Sequence, residues 1–145
     1  MCALEDATGN GGGKMGAIEI ERKFLLIKPP AGLDEMPSSS IEQGYLVATH
    51  DFEARLRRRD DDRYLTVKQG CGRARRETEI ALSQDQFDAL WPLTEDRRVQ
   101  KRRYLRKMDA LTIEYDVYSG KLEGLCIAEI EFPSEELCNA FKPPK

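Results

Sequence analysis

The sequence predicts a mainly β (α+β) protein built around a closed, antiparallel, eight-stranded β-barrel with a few short flanking helices. The chain has 145 residues, which is the size of a single domain. Eight of its segments alternate apolar and polar residues with the period of two that a strand requires. The connections between several of them, such as 60–62 and 70–72, are short enough for antiparallel hairpins and too short for crossover helices.

The predicted strands fill most of the chain after residue 17. Residues 1–16 are small and polar, with three consecutive glycines, so we expect a flexible N-terminal tail there and the barrel domain over 17–145. In chain order, the strands are predicted at 18–24, 43–47, 52–58, 64–68, 75–82, 101–107, 111–117 and 126–132.

Two short helices are predicted beside these strands. Ser83, followed three residues later by Gln86, is a capping box, and the apolar residues that follow it end at the next proline. A second helix is predicted to begin after Ser134, with Leu137 and Phe141 on one side.

Composition argues against several classes of protein. No apolar run approaches the ~18 residues of a membrane span, and no charged-then-apolar leader is apparent, so we expect a cytoplasmic protein without a membrane partner. The net charge of -3 argues against a general nucleic-acid binder. The two signs are nevertheless segregated along the chain, since residues 97–107 carry seven basic side chains and no acidic one.

Cysteine usage argues against a zinc site. The four cysteines, Cys2, Cys71, Cys126 and Cys138, are far apart, and His50 is the only histidine in the sequence. We therefore expect reduced thiols in a cytosolic protein.

Charged side chains two residues apart share one face on most of the predicted strands. A half-solvated sheet explains one such strand, but like charges paired on strand after strand favour a specific role. Two carboxylates at i and i+2 are about 7 Å apart and repel by roughly 2 kcal/mol at an effective dielectric near 20. A divalent cation would compensate the glutamate pairs, and an anion with several oxygens would compensate the arginine and lysine pairs. In a closed barrel these faces would line the lumen.

The order of these polar motifs resembles that of the CYTH superfamily, the triphosphate tunnel metalloenzymes. Residues Glu19-Ile20-Glu21-Arg22-Lys23-Phe24 resemble the family's N-terminal Glu-x-Glu-x-Lys signature. The motifs that follow, in the family's order over residues 17–142, are Gln43-Gly44-Tyr45-Leu46, Arg55-x-Arg57, Thr66-x-Lys68, Arg75-x-Glu77-x-Glu79, Lys101-x-Arg103, Glu114-x-Asp116 and Glu129-x-Glu131.

This resemblance implies an eight-stranded tunnel that holds a linear triphosphate with Mg²⁺ or Mn²⁺ and hydrolyses it. Because the candidate lumen residues are nearly all charged, inorganic tripolyphosphate, cleaved to phosphate and pyrophosphate, is favoured over an organic triphosphate. A thiamine or nucleoside triphosphatase, an adenylate cyclase of the same superfamily, and a non-catalytic polyphosphate- or nucleotide-binding module remain alternatives. We expect a small anionic triphosphate as the partner of a monomer or homodimer.

The resemblance also implies a role for each motif position. The implied metal ligands are Glu19, Glu21, Glu129 and Glu131. The implied phosphate-binding residues are Lys23, Arg55, Arg57, Lys68, Arg75, Lys101 and Arg103. We expect the remaining acids to orient these cations; they are Glu77, Glu79, Glu114 and Asp116.

Lys101 is in addition the candidate general base, with Tyr45 as its catalytic partner. We expect the like charges of Arg103, Arg75 and Lys68 to lower the pKa of Lys101. Tyr45 would hydrogen-bond the Lys101 amine and orient it towards the attacking water. The alternative is that Lys101 only binds phosphate.

The sequence departs from the family's pattern at its C-terminal end. Family members usually continue past residues 141–144 with a segment, often of the pattern Lys-x-Tyr-x-Asn, that covers one tunnel end. Because this sequence stops at Lys145, we expect the tunnel domain to be truncated at its C-terminal end.

Overall fold

The protein is an eight-stranded barrel in the computed structural model, which describes residues 14–144. All eight predicted strands are confirmed. They are β1 (Ala17–Leu25), β2 (Ser38–Ala48), β3 (Phe52–Arg59), β4 (Asp62–Gln69), β5 (Ala74–Ala81), β6 (Arg98–Met108), β7 (Leu111–Ser119) and β8 (Cys126–Phe132). β2 and β6 begin several residues earlier than predicted, because Ser38 at the start of β2 pairs with Tyr104, and Arg98 at the start of β6 pairs with Gly44.

The sheet closes because β1 pairs with two neighbours. The strand order is β1-β5-β4-β3-β2-β6-β7-β8, and every neighbouring pair is antiparallel. Residues 17–20 of β1 pair with β5, and residues 20–25 of the same strand pair with β8. Closure satisfies the backbone groups that an edge strand would leave open.

Two short α-helices lie outside the barrel: α1 (Gln84–Leu90) and α2 (Glu135–Ala140). The predicted capping box is confirmed, because the Ser83 hydroxyl accepts a hydrogen bond from the Gln86 amide at 3.1 Å and the Gln86 side chain accepts one from the Ser83 amide at 2.9 Å. On α2 the predicted apolar side is partly wrong. Leu137 is 52% exposed, and Cys138 is the buried residue of that helix. Short 3₁₀ helices occupy Leu33–Glu35, Trp91–Thr94 and Gly120–Leu122.

The main apolar core lies between the outer face of the barrel and α2. It consists of buried residues on β7 and β8 together with Cys138, and aromatic residues such as Phe24 and Phe141 pack against them. The buried members are Ile113, Tyr115, Ala128, Ile130, Phe132 and Cys138. The apolar residues at alternate positions of these strands therefore face outward, and the residues between them face the lumen.

The predictions of a flexible N-terminal tail and of reduced cysteine thiols can be compared with the structure only over residues 14–144. Residues 1–13 of the expected tail, and with them Cys2, lie outside the described residues. The other three cysteines are free thiols. No helix among residues 14–144 is long and apolar enough to cross a membrane.

Gly44 allows the segment after α1 to rest directly on β2. A Cβ at this position would lie 2.3 Å from Thr94 Oγ1 and 2.8 Å from Trp91 Cζ3. Thr94 is fully buried and donates to the Trp91 carbonyl at 2.7 Å, while Trp91 stacks on Phe87 with ring centroids 5.0 Å apart. A side chain at Gly44 would therefore displace a packed unit.

We predict that Gly44→Ala destabilises the fold by about 1–3 kcal/mol, the usual cost of overpacking a filled site. Urea denaturation of the variant and the wild type measures this difference. An unchanged midpoint would contradict the packing of the 3₁₀ segment on β2.

Candidate active site

The inner face of the barrel carries charged side chains from seven of its strands, as the parity of the sequence predicts. They enclose a cavity of about 300 Å³, a size that suits a small ligand. All the residues that line it are charged except Tyr64. They are Lys14, Glu19, Glu21, Arg55, Arg57, Arg59, Tyr64, Lys68, Glu77, Glu79, Arg103, Glu114, Glu129 and Glu131.

One side of this cavity is a cluster of buried cations that lacks enough counter-charge. Arg57 Nε donates to Gln43 Oε1 at 3.0 Å, and the nearest carboxylate oxygen to its guanidinium belongs to Glu79, at 3.9 Å. Burial, followed by the charges of Arg55 and Arg103, lowers the pKa of Arg57 to about 10. Arg55 donates through Nη1 to Glu53 at 2.8 Å, but its buried Nε has no hydrogen-bond partner among the described residues.

Asp116 anchors the cations of β6. This carboxylate is 1% exposed and accepts a hydrogen bond from Lys101 Nζ at 2.5 Å. It also accepts two bonds from Arg103, at 2.7 and 2.8 Å, in the bidentate geometry that fixes a guanidinium. Burial alone would lower the pKa of Arg103, but Asp116, Glu114 and Glu129 raise it. These contacts are those that an orienting role for Asp116 requires.

The environment of Lys101 differs in part from the prediction. Burial comes first and the charges of Arg103 and Arg57 follow; together they outweigh the attraction of Asp116 and lower the pKa of Lys101 to about 8. We also expected Arg75 and Lys68 to contribute, and this part of the prediction is wrong. Both face carboxylates on the other side of the lumen, Arg75 lying 3.5 Å from Glu21 Oε1.

Tyr45 and Lys101, both of which the structure describes, do not form the predicted hydrogen bond. The Tyr45 hydroxyl accepts from Gln43 at 3.2 Å, and the Lys101 amine donates to Asp116. Register explains the difference, because Lys101 pairs with Ile41 of β2 and Tyr45 lies four residues further along that strand, about 13 Å away. Neither Tyr45 nor Lys101 lines the cavity itself.

Lys68 sits at the centre of the acidic side of the cavity. Its ammonium lies 2.9 Å from Glu19, 3.7 Å from Glu21 and 3.2 Å from Glu77, and its side chain is 3% exposed. Burial alone would lower the pKa of Lys68, but the charges of Glu21 and Glu19 raise it. Lys68 therefore holds three carboxylates together, and its phosphate-binding role stays a prediction.

The carboxylates of β8 face further carboxylates on both neighbouring strands. Glu131 is paired in register with Glu21, and Glu129 with Glu114. Among residues 14–144, no cation lies within 4.0 Å of Glu131, and burial together with the charges of Glu19 and Glu114 raises its pKa. Like charges placed directly opposite each other destabilise a sheet unless a cation compensates them.

A hard divalent cation fits this donor set, because Mg²⁺ and Mn²⁺ prefer carboxylate oxygens. The predicted ligands Glu19, Glu21, Glu129 and Glu131 all line the cavity. Glu19, Glu21 and Glu129 pair with lysines or arginines. Among the described residues, no group of three or more acids, histidines or cysteines is gathered closely enough to hold a metal ion.

The remaining predicted residues also face the lumen. Lys23 is half-exposed and lies 3.6 Å from Glu21 Oε1 and 4.0 Å from Glu129 Oε1. Glu79 accepts from the Thr66 hydroxyl at 2.9 Å. Glu114 is ion-paired with Arg103 at 2.5 Å.

Five residues of the site were not assigned a role from sequence. Four of them share strand parity with predicted lumen residues, so the alternation could have identified them; they are Gln43, Glu53, Arg59 and Tyr64. Lys14 lines the cavity, but it follows a glycine run and precedes the first strand, so no pattern points to it.

Comparisons with known proteins match most of the chain to one domain family and to two relatives. Residues 17–137 match the CYTH domain family. The chain is similar to an inorganic triphosphatase of Nitrosomonas europaea, with 44% identity over 128 residues that cover 87% of this chain and 83% of the relative. It is also similar to an inorganic triphosphatase of Acetivibrio thermocellus, with 36% identity over 129 residues that cover 87% of this chain and 80% of the relative.

Solved structures share the fold. The crystal structure of an inorganic triphosphatase is 41% identical, with a TM-score of 0.60 over 87% of this chain and 84% of that one. A protein of Pyrococcus furiosus has a TM-score of 0.64 at 19% identity, over 83% of this chain and 84% of that one, and this likeness shows the fold alone.

We predict that Asp116→Asn destabilises the protein by about 3–5 kcal/mol, because Lys101 and Arg103 then remain buried without their anion. Urea denaturation measures the loss. The matched control is Glu42→Gln, which weakens a half-exposed pair with Arg58 on the outer face and should cost about 1 kcal/mol or less. Equal losses in the two variants would contradict the anchoring role of Asp116.

Proposed function

The chain belongs to the CYTH domain family, and on this premise we propose that it is an inorganic triphosphatase, which hydrolyses tripolyphosphate to phosphate and pyrophosphate. The observation that carries the proposal is the cluster of buried cations around Arg57, whose positive charge is only partly matched by protein carboxylates. A linear triphosphate supplies both the missing negative charge and the missing hydrogen-bond acceptors.

The cavity lining supports an inorganic rather than an organic triphosphate. Tyr64 is the one uncharged residue of the lining, and Arg59 lies over its ring, 5.6 Å from the centroid. An adenylate cyclase or a thiamine triphosphatase needs an apolar surface for the organic group, and the lining offers none beyond this ring. Three free cysteines among the described residues suit the reducing cytoplasm in which we expect the reaction.

We propose that Glu19, Glu21, Glu129 and Glu131 hold Mg²⁺ or Mn²⁺. Their oxygens are the ligands that these ions prefer, and the crowding of Glu131 among other acids favours a cation there. When bound, the cation supplies positive charge that stabilises the phosphate oxygens during hydrolysis.

Arg55, Arg57 and Arg103 are proposed to bind the phosphate oxygens opposite these carboxylates. Their guanidinium groups are already desolvated and held, Arg57 by Gln43 and Arg103 by Asp116. These hydrogen-bond donors are already in position to stabilise the charge that develops on the transferred phosphoryl group. Stabilisation by groups that need no rearrangement is the main source of catalysis in phosphoryl transfer.

We propose Lys101 as the general base, with Asp116 in place of Tyr45 as the group that orients it. A water oxygen bonds to a terminal phosphorus, the bond from that phosphorus to the bridging oxygen breaks, and pyrophosphate leaves. Because Lys101 lies behind the residues that line the cavity, its amine takes the proton of the attacking water through one intervening water. A pKa of about 8 leaves part of the amine neutral near neutral pH, as a base requires.

The direct test of the proposed function is phosphate release from tripolyphosphate, pyrophosphate, ATP and thiamine triphosphate with Mg²⁺, Mn²⁺ or excess chelator. We expect tripolyphosphate to be preferred, equal amounts of phosphate and pyrophosphate to form, and chelator to abolish turnover. A preference for pyrophosphate or ATP, or full turnover in chelator, would refute the proposal.

Glu19→Gln and Glu131→Gln should each lower turnover of tripolyphosphate by about 100-fold or more, since outer-shell partners of a metal alone account for 10–100-fold. The same phosphate assay across a range of metal concentrations measures the effect. Glu123→Gln removes an exposed carboxylate from the surface and serves as the control. Wild-type activity of either tunnel variant would show that these carboxylates do not hold the metal.

Turnover should rise with pH through about pH 8, because only the neutral Lys101 amine can accept a proton. Lys101→Arg keeps the charge but stays protonated, so this rise should disappear at saturating metal and substrate. Lys23→Arg, a half-exposed lysine of the same lumen, should keep it. If Lys101→Arg retains the wild-type profile and loses only affinity, Lys101 binds phosphate and is not the base.

A further inference from the structure

Lys14 precedes the first strand but reaches into the charged cavity. Its carbonyl accepts a hydrogen bond from the Glu79 amide at 2.6 Å, and the Gly16 amide donates to Thr78 Oγ1 at 3.1 Å. These two bonds continue the pairing of β1 with β5 towards the N-terminus. The backbone of β5 thus holds Lys14 at the rim, where its side chain lines the cavity.

The Lys14 ammonium lies against the acidic side of the cavity. Nζ is 3.6 Å from Glu77 Oε1 and 3.9 Å from Glu19 Oε1. Burial alone would lower the pKa of Lys14, but the charges of Glu77, Glu131 and Glu19 raise it. A cation of the chain itself therefore lies beside Glu19, which is assigned above to the divalent metal.

Lys14 and Lys68 share the carboxylates of Glu19 and Glu77 but differ in their freedom to leave. The Lys68 side chain is 3% exposed, so moving its ammonium away from the glutamates would leave a buried charge without a partner. The Lys14 side chain is 46% exposed, and its ammonium reaches water by rotation of its own bonds. When a divalent cation enters at Glu19, Lys14 can withdraw from this carboxylate and Lys68 cannot.

We propose that Lys14 is a resident counter-ion of the tunnel, which competes with the divalent cation for the carboxylate of Glu19 and so sets the metal affinity. This inference rests on the proposed function, because it takes Glu19 to be a metal ligand. It makes Lys14 a positioning residue that acts through Glu19, and no contact between Lys14 and the substrate is required.

If Lys14 competes with the metal, removing its charge should tighten metal binding, whereas a merely structural role predicts no such gain. Lys14→Met keeps the length of the side chain and removes its charge, so the metal no longer displaces an ammonium. Binding of Mn²⁺ should become about three- to tenfold tighter at low ionic strength, and the gain should shrink as added salt screens the charges. A structural role for Lys14 predicts weaker or unchanged binding.

The experiment is a titration of the substrate-free, full-length protein with Mn²⁺, in which the electron paramagnetic resonance signal of the free ion reports binding. It compares the wild type with Lys14→Met, Lys14→Arg and Lys121→Met. Lys121 is an exposed lysine outside the cavity lining, so its variant removes the same net charge at a distance. Thermal unfolding of each variant verifies that it is folded.

The proposal expects tighter binding in Lys14→Met alone, with Lys14→Arg and Lys121→Met close to the wild type. Unchanged or weaker binding in Lys14→Met overturns it, and so does an equal gain in Lys121→Met. A parallel titration of Glu19→Gln tests the proposed metal site separately. If wild-type Mn²⁺ binding is absent or persists in Glu19→Gln, the metal assignment fails together with the role of Lys14; if only the Lys14 comparison fails, the assignment stands.

Discussion

Charges buried in the lumen must be paired, because removing an ion from water costs several kcal/mol. Asp116 pairs with Lys101 and Arg103, and Lys68 pairs with three glutamates, so much of the lumen satisfies this demand internally. Arg57 on the basic side and Glu131 on the acidic side are satisfied least. The proposed function places an anion at Arg57 and a cation at Glu131, where each would complete the pairing.

Stability and function occupy opposite faces of the same strands. On β7 and β8 the outward residues form the apolar core with α2, while the inward residues include four acids, Glu114, Asp116, Glu129 and Glu131. Because a strand directs alternate side chains to opposite faces, the core can stabilise the barrel without filling its lumen. The closed sheet then holds charges at fixed separations that a more open scaffold would allow to relax.

The sequence predicted the faces of the strands better than the contacts across them. Period-two alternation identifies lumen residues because it depends only on one strand at a time. Register depends on neighbouring strands, and for this reason the partner of Lys101 was predicted to be Tyr45 and is Asp116. The opposition of Glu21 and Glu131 also depends on register. Lys14 has no strand pattern around it, and only the fold brings it to the cavity.

Thermal unfolding of Arg57→Met with and without tripolyphosphate tests whether Arg57 is an incompletely paired cation that binds the substrate. Arg57 lies in a field of like charge and has no carboxylate closer than 3.9 Å. Its removal should therefore leave the free protein as stable as the wild type or more so, and should abolish most of the rise in melting temperature that tripolyphosphate causes. Arg58→Met, on the outer face of the same strand, should keep that rise. Two results together would contradict this role of Arg57: a lower melting temperature of free Arg57→Met, and the same rise with tripolyphosphate as in the wild type.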